Sequence, residues 1–540
     1  MMLTRIPFRA STRPIYLSSR KFCDKKDKGT QLNDPPNLAD IDFTKEKRLE
    51  DFRVIDSSHI QAPRDEHPVT RTHRILKADI MKLKNYIPYW NDKSLRENAT
   101  MFKHVLMGEN AGYPEDPIFP SHCDIVIIGG GAIGSSIACQ LKDRARDGLR
   151  IVVLEQDKTY AKASTTLSVG GLRQQFSLEE NILMSLYAAD FFRNVKRFLG
   201  DHVNLNFVPH GYLFLATEES ANTLEKNSIL QNRLGAKNII LTPKKLKAQF
   251  PWLNTDDIAL GCFGLENEGW FDPWSLLMGF KHKAQSLGVE YVDGEAVNFG
   301  FKKNHLVEVQ GVPPGEYQST NEIVVKLNTG EVKKITFATC IIAAGAWSGH
   351  IAKLLRIGQG DGMLSVPLPV EPRKRYVYTI KSQGENQPLF NAPLTIDPKS
   401  QTYFRCDGLG GNYLVGRSPD LEDEPSIDNL DVDYNYFDEM IWPHLAKRIP
   451  AFECAKVVNA WSGFYEFNTF DENGIIGSHP YYHNVIIATG FSGHGIQQAP
   501  AVGRAISELI LDGQYTTIDL TRLGYDRLMV KEPMLEQNIV

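Results

Sequence analysis

Apolar residues in this chain fall into two kinds of pattern, short unbroken runs and longer stretches with apolar positions three or four apart. Ile125 to Ile128 is a β-branched run that stops at Gly129, Ser135 to Leu141 has helical spacing, and Ile151 to Leu154 is a second short run. An unbroken apolar run marks a strand covered on both faces, so run, helix and run in succession predict a βαβ unit with parallel strands.

The same logic carries through the chain. It predicts a long amphipathic helix from about Leu178 to Phe198, strands near 207–216 and 258–264, and a helix between them from Glu218 to Leu234. Asp272-Pro-Trp-Ser275 reads as the cap of a helix reaching about Leu287. Val289 to Val297, Glu322 to Leu327 and Lys334 to Phe337 read as sheet, and Thr339 to Ser348 as a buried strand ending in small residues. Between about 365 and 420 the pattern shortens to Arg375–Ile380, Gln401–Cys406 and Asn412–Val415 with turn residues between, which is antiparallel sheet. A parallel-type strand returns at Val485–Thr489, and a helix follows from about Ala499 to Leu511. The expected architecture is one nucleotide-binding domain assembled from 121–203, 268–358 and 474–520. An antiparallel substrate domain fills the gaps at 204–267 and 359–473, and 521–540 forms a C-terminal tail.

Chemistry enters at the ends of the strands. Gly129, Gly131 and Gly134 stand at G-x-G-x-x-G spacing. The first permits a tight turn, the second lets a pyrophosphate approach the backbone, and the third lets helix and strand pack closely. The helix that follows, with Ala132 and Ile133 in the turn before it, offers free N–H groups and a partial positive charge to that pyrophosphate. Glu155, ending the second strand 21 residues past Gly134, is placed for the ribose hydroxyls of an adenosine half. The small, hydroxyl-rich stretch Ala163 to Arg173, with Ser164 and Thr165, lets the chain pass close to a cofactor, and Gly345 ends a strand in the same manner. Gly490, Gly493 and Gly495 make a second glycine turn before a helix, suited to present N–H groups to developing negative charge. His494 either lies near a reacting ring or caps the following helix.

Composition narrows the classes. A length of 540 residues exceeds what a single core usually supports. A net charge of −5 leaves no footprint for nucleic acid. Seven scattered cysteines without C-x-x-C argue against a disulfide framework and a structural zinc site, and no metal site is expected. No apolar run is long enough to span a bilayer, which leaves a peripheral membrane association open. Residues 1–22 carry arginines, serines and threonines, with no acid before Asp24: the pattern of a mitochondrial transit peptide or of a plain basic tail. Residues 23–120 read as a polar, partly disordered arm, with helical spacing only at Ile75–Lys84 and Met101–Met107; it is either a partner-binding segment or a spacer.

Taken as an ordered set, Val126-Ile-Ile-Gly-Gly-Gly-Ala-Ile-Gly134, Glu155, Ala344-Gly-Ala-Trp-Ser348, Trp461-Ser-Gly-Phe-Tyr465 with Thr469-Phe-Asp471, and Gly490-Phe-Ser-Gly-His-Gly495 resemble the flavin-dependent amine and amino-acid oxidoreductases. That family includes D-amino-acid, sarcosine and dimethylglycine oxidising enzymes. Leu167-Ser-Val-Gly-Gly171, Gly269-Trp-Phe-Asp-Pro-Trp274 and Val370-Glu-Pro-Arg-Lys-Arg-Tyr-Val377 are closer to a mitochondrial branch implicated in assembling respiratory complex I. The resemblance implies FAD as cofactor. It also implies an α/β plus α+β fold: a discontinuous Rossmann-like FAD-binding domain of glutathione-reductase type with an inserted antiparallel-sheet domain. A place in the matrix or on the matrix face of the inner membrane, and complex I subunits or assembly intermediates as partners, follow from the same resemblance.

Against the family pattern, Gly463 and Leu167 stand where relatives attach flavin through cysteine or histidine, so FAD is expected to be non-covalent. Gln497 stands where a lysine holds substrate and flavin charge. Leu414 stands where a lysine activates oxygen, which favours a dehydrogenase over an oxidase. Arg173, Tyr403 and Arg405 are candidates to grip a carboxylate, or else are structural ion-pair residues. The run Arg373-Lys-Arg375 is either a contact for a partner or acidic lipid, or a solvated loop. Two functions follow: dehydrogenation of a C–N bond in an amine or N-methyl amino acid, and an assembly factor for complex I that retains FAD as a structural element. The two are compatible.

Overall fold

The computed structural model of the protein describes residues 119–305, 307–309 and 311–537. The expected leader at 1–22, nearly all of the 23–120 arm, and the helical stretches at 75–84 and 101–107 lie outside the described residues.

His122–Ile128 lies at the centre of a seven-stranded sheet. Ile151–Glu155 and Val332–Ile342 flank it in parallel, with Glu290–Lys303 and Val485–Thr489 parallel beyond them. Gln318–Leu327 joins the extended ends of the 290–303 and 332–342 strands as an antiparallel meander, and Ile475–Ser478 closes one edge, also antiparallel. The unbroken apolar run has a direct cause. Ile125 and Ile127 pack into one buried cluster, while Val126 and Ile128 pack into another on the opposite face.

Helices Ala132–Ala145, Glu179–Arg193, Pro273–Ser286 and Gly495–Leu511 supply the first of those clusters. The helix expected to reach Phe198 stops at Arg193, before a short helix Val195–Leu199. Asn194 donates from its side-chain amide to the Asp190 carbonyl at 2.9 Å, competing locally for the helix acceptors. The last long helix starts at Gly495, four residues before the expected start at Ala499, and holds Pro500 within it. Burial of nearly its whole first half outweighs the weak helix propensity of glycine and proline.

The second sheet has eight strands, in the order Lys456–Asn468, Val370–Lys381, Asn412–Arg417, Thr402–Asp407, Leu394–Ile396, Tyr212–Ala216, Leu260–Gly264 and Asn238–Leu241. Its pairings are antiparallel except at Leu394–Ile396 against Tyr212–Ala216, where two distant chain segments meet in parallel. Tyr376, Tyr378, Phe404, Tyr413 and Val415 form its packed face. The residues at 521–537 are no free tail: Leu523, Tyr525, Leu528 and Met534 are buried, and Arg527 donates to Asp471 at 2.7 Å in a pair withdrawn from solvent.

Candidate functional site

A cavity of about 1290 Å³ lies between the two sheets. Its floor is formed by the carboxyl ends of the parallel strands, at Ile128, Leu154, Glu155, Ala343 and Ala488, where open α/β sheets bind ligands. It exceeds the roughly 300–1,000 Å³ of an ordinary small-molecule pocket and so has room for a dinucleotide and a substrate together.

The dinucleotide end is built from backbone. Gly129 takes φ +102°, and a Cβ there would fall 2.2 Å from the Ala343 carbonyl oxygen. A Cβ on Gly134 would fall 1.9 Å from the Gly129 oxygen, so strand and helix touch only because both residues lack one. Gly131, Ala132 and Ile133 line the cavity, and a Cβ on Gly131 would crowd Thr165 Oγ1 at 3.2 Å. The Ala132 N–H donates to that hydroxyl at 3.1 Å, which closes the 163–168 turn over the helix N-terminus. Glu155 accepts from the Gly130 N–H at 2.8 Å and the Asp157 N–H at 3.0 Å. Burial raises its carboxyl above the ordinary range, and it faces the cavity beside Ser164 and Thr165. These residues fit the adenosine diphosphate half of FAD.

At the other end, Gly345, Gly493, Gly495 and Gln497 line the same cavity. A Cβ on Gly345 would find only Glu466 Oε2 within reach, at 3.9 Å, so this backbone opens directly onto the space. Gly490 is outside the lining here, as Gly134 is at the dinucleotide end. Gln497 does not point freely at a ligand: its Oε1 accepts from the Arg173 N–H at 2.8 Å. His494 is the N-cap residue of the final helix but makes no side-chain cap bond. Its ring lies outside the cavity wall, 5.4 Å from Phe176 and 6.4 Å from Phe491. Burial pushes its imidazole down to about 3, so it is neutral at physiological pH. This histidine is an aromatic packing residue rather than an acid or base facing substrate.

The roof follows from strand register. Opposed residues of an antiparallel pair share a face. Tyr403 opposes Gly416, which opposes Val377, and Arg375 opposes Gly463. Tyr403, Val377, Arg375 and Gly463 line the cavity, with Tyr212, Leu394, Ile396 and Tyr465, and Gly416 lies behind the Tyr403 ring. Arg405 and Leu414 oppose each other on that same side but further along, outside the lining. Arg405 therefore does not reach a ligand. Its Nε donates to the Val169 carbonyl at 3.1 Å and its Nη1 to the Cys406 carbonyl at 2.9 Å, tying the sheet to the hydroxyl-rich turn. Arg373 and Arg375 lie on a strand rather than a loop, and Glu424 accepts from Arg375 at 2.8 and 3.0 Å. Arg373 pairs with Glu371, and buried Lys374 donates to the Asn429 side-chain oxygen at 3.3 Å.

Arg173 remains. It lines the cavity, is 7% exposed, and lies over the Phe176 ring at 4.2 Å and the Phe214 ring at 5.1 Å. Its Nη1 donates to the Gln175 carbonyl at 2.9 Å, and among the described residues no carboxylate forms an ion pair with it. Burial pulls its guanidinium down, and Glu536 and Glu268 act on it only from a distance. Leu167 and Gly463 touch: a Cβ on Gly463 would fall 2.9 Å from that of Leu167. The two positions at which relatives attach flavin thus converge on one point of the wall.

One lining group escaped the sequence reading. Glu466 is enclosed on the wall, accepts from Thr489 Oγ1 at 3.0 Å and the Gly490 N–H at 3.2 Å, and has no cation paired with it among the described residues. Burial pushes its carboxyl up to about 7. Its signal was available as a lone acid inside the apolar strand Trp461–Phe467.

A family profile described as FAD dependent oxidoreductase matches residues 124–509. A Drosophila melanogaster protein named FAD-dependent oxidoreductase domain-containing protein 1 homolog is 50% identical over 485 residues, covering 88% of this chain and 93% of that protein. The mouse protein named mitochondrial sarcosine dehydrogenase is 23% identical over 436 residues, covering 79% of this chain and 43% of its own. Among solved structures, L-proline dehydrogenase from P. horikoshii superposes with a TM-score of 0.63 at 26% identity, over 77% of this chain and 100% of that one.

Proposed function

The chain belongs to the family of FAD-dependent oxidoreductases, and from that premise we propose that it dehydrogenates a C–N bond in a carboxylate-bearing amine, such as an N-methyl amino acid. The observation that carries this reading is Arg173, a buried guanidinium facing the cavity with no carboxylate paired to it among the described residues. Leaving a buried cation unpaired is costly unless a ligand completes it, and a planar guanidinium matches a carboxylate through two parallel hydrogen bonds.

Bound FAD supplies the acceptor for the electron pair that leaves the carbon next to nitrogen. The chain's own residues prepare that event. Arg173 fixes the carboxylate end, Val377, Leu394 and Ile396 exclude water from the roof, and Tyr212, Tyr403 and Tyr465 offer ring faces to an alkylammonium group. Burial raises all three phenols above their ordinary value, keeping them neutral hydrogen-bond donors. Glu466, its carboxyl raised to about 7 by burial, stands beside the second glycine turn, where the family lysine is replaced by Gln497. With Gly463 and Leu167 on the wall, FAD is held without a covalent bond. Leu414 lies outside the cavity lining, so transfer to a protein or quinone rather than to oxygen rests on the family resemblance alone.

The reading extends to a mitochondrial location, supported by the basic, acid-free residues 1–22, with a peripheral place at the inner membrane. It extends also to a role in assembling complex I, supported by the motif resemblance at 167–171, 269–274 and 370–377. An active dehydrogenase with no assembly role is the alternative. Anaerobic titration of the FAD-loaded protein with N-methyl amino acids and simple amines tests the chemistry: carboxylated amines bleach the flavin absorbance. An FAD-loaded protein inert to all of them, yet co-migrating with complex I subunits, would leave only the assembly role standing.

A further inference from the structure

The turn that carries Arg173 is tied at its far end to residues more than 350 positions away in sequence. Glu536 is buried, and its carboxylate accepts from the Ser177 N–H at 2.6 Å, the Leu178 N–H at 3.2 Å and the Asn181 side-chain amide at 3.0 Å. The Gln537 N–H donates to Ser177 Oγ at 2.9 Å. Leu178 is the N-cap of the 15-residue helix Glu179–Arg193, and a leucine has no side-chain acceptor with which to cap. The entry to this helix is therefore closed by an acid from the other end of the chain, which also meets the positive end of the helix dipole.

The position of Glu536 is itself set by the core. The Met534 N–H donates to Asp471 Oδ2 at 3.0 Å, and Asn473 donates to the Met534 carbonyl at 3.2 Å. Asp471 is held in turn by Arg527. Two links run from this anchor to the cavity. Asn181 accepts from Gln498 at 3.2 Å, next to Gln497, which holds the Arg173 N–H. Phe176, the residue before Ser177, lies under the Arg173 guanidinium.

We propose that Glu536 is a positioning residue for the carboxylate subsite: it sets the 173–178 turn, and through it the aim of Arg173 and the affinity for a carboxylate ligand, without touching that ligand. The proposal rests on the reading of Arg173 given above. It makes residues 534–537 a strap across the back of the substrate site, separate from the glycine loops that hold FAD.

Acetate is the probe, titrated into the FAD-loaded full chain and followed by the flavin difference spectrum, with FAD affinity measured separately on the apoprotein. Glu536→Ala weakens acetate binding roughly tenfold and changes FAD affinity by less than about twofold. Glu536→Asp, which keeps the charge on a shorter arm, falls between. The pair Arg173→Met and Arg173→Met/Glu536→Ala bind acetate equally poorly. Unchanged acetate affinity in Glu536→Ala, or equal losses of acetate and FAD affinity, overturns the proposal. If Arg173→Met alone binds acetate as the wild type does, the carboxylate reading of Arg173 fails. The tie between strap and turn is then judged by amide hydrogen exchange: faster exchange at 173–178 in Glu536→Ala sustains it, and unchanged exchange overturns it.

Discussion

The floor and the roof of the cavity solve different problems with different materials. The floor meets its ligand with backbone: glycines that admit close approach, and helix N-termini that present N–H groups. The roof meets its ligand with side chains, contributed by several strands and by Arg173 on a separate turn. A backbone site tolerates little change where, as at Gly129 and Gly134, a glycine is locked against another main-chain atom. A side-chain site can be retuned one residue at a time. This explains how a FAD cradle persists here while residues that relatives use for covalent attachment and charge have changed around it.

Mutations can break that contrast or sharpen it. The largest effect is expected from Gly134→Ala, whose methyl would fall 1.9 Å from the Gly129 oxygen. Main chain cannot swing aside, so we expect a loss of at least about 3 kcal/mol in stability and no FAD in the purified protein, checked by thermal melting and the flavin spectrum. If the variant folds and loads FAD normally, the floor is not the rigid element described.

Gly416→Ala places the same methyl in the roof, 2.3 Å from the Tyr403 hydroxyl. Here the obstacle is the end of a side chain, which can move. FAD content is expected to stay normal while binding of a carboxylate or substrate shifts by roughly tenfold; loss of FAD in parallel would erase the distinction between floor and roof.

The smallest effect is a pH slope. Glu466 has its carboxyl raised from 4.5 to about 7 by burial, so the folded state holds this proton more tightly than the unfolded chain does. Its contribution is full below about 4.5 and is lost as pH rises to about 7. Glu466→Gln cannot titrate. The melting temperature of the wild type, measured against that variant, should therefore fall between those two pH values and level off above them. A difference independent of pH would mean that Glu466 is already ionised in the folded protein.

The nucleotide half was legible because its chemistry is local. Gly129, Gly131, Gly134 and Glu155 lie within one βαβ unit, and the spacing that builds the strand and helix also places the glycines. Gly345, Gly493 and Gly495 were readable for the same reason, each closing a strand or opening a helix. In the roof, the sequence singled out Tyr403 and Arg405 two residues apart on one strand, yet only Tyr403 reaches the cavity. They share a face of the sheet, and position along the strand, not residue type, separates them. His494 looked catalytic by its place between two glycines, but Phe176 and Phe491 enclose it.

The sequence by itself therefore determined the parallel sheet, the dinucleotide turn and the family, since strand pattern and glycine spacing act over a few residues. Only the tertiary structure decided which cations are free and which are used up. Arg375 is paired with Glu424 and Arg405 with Asp407, and Arg173 alone of the three faces the cavity unpaired among the described residues. It also decided that Glu536 closes the turn behind Arg173. The physical reason is range: a charge is settled by whatever lies within a few ångströms, and the chain brings those partners from tens to hundreds of residues away.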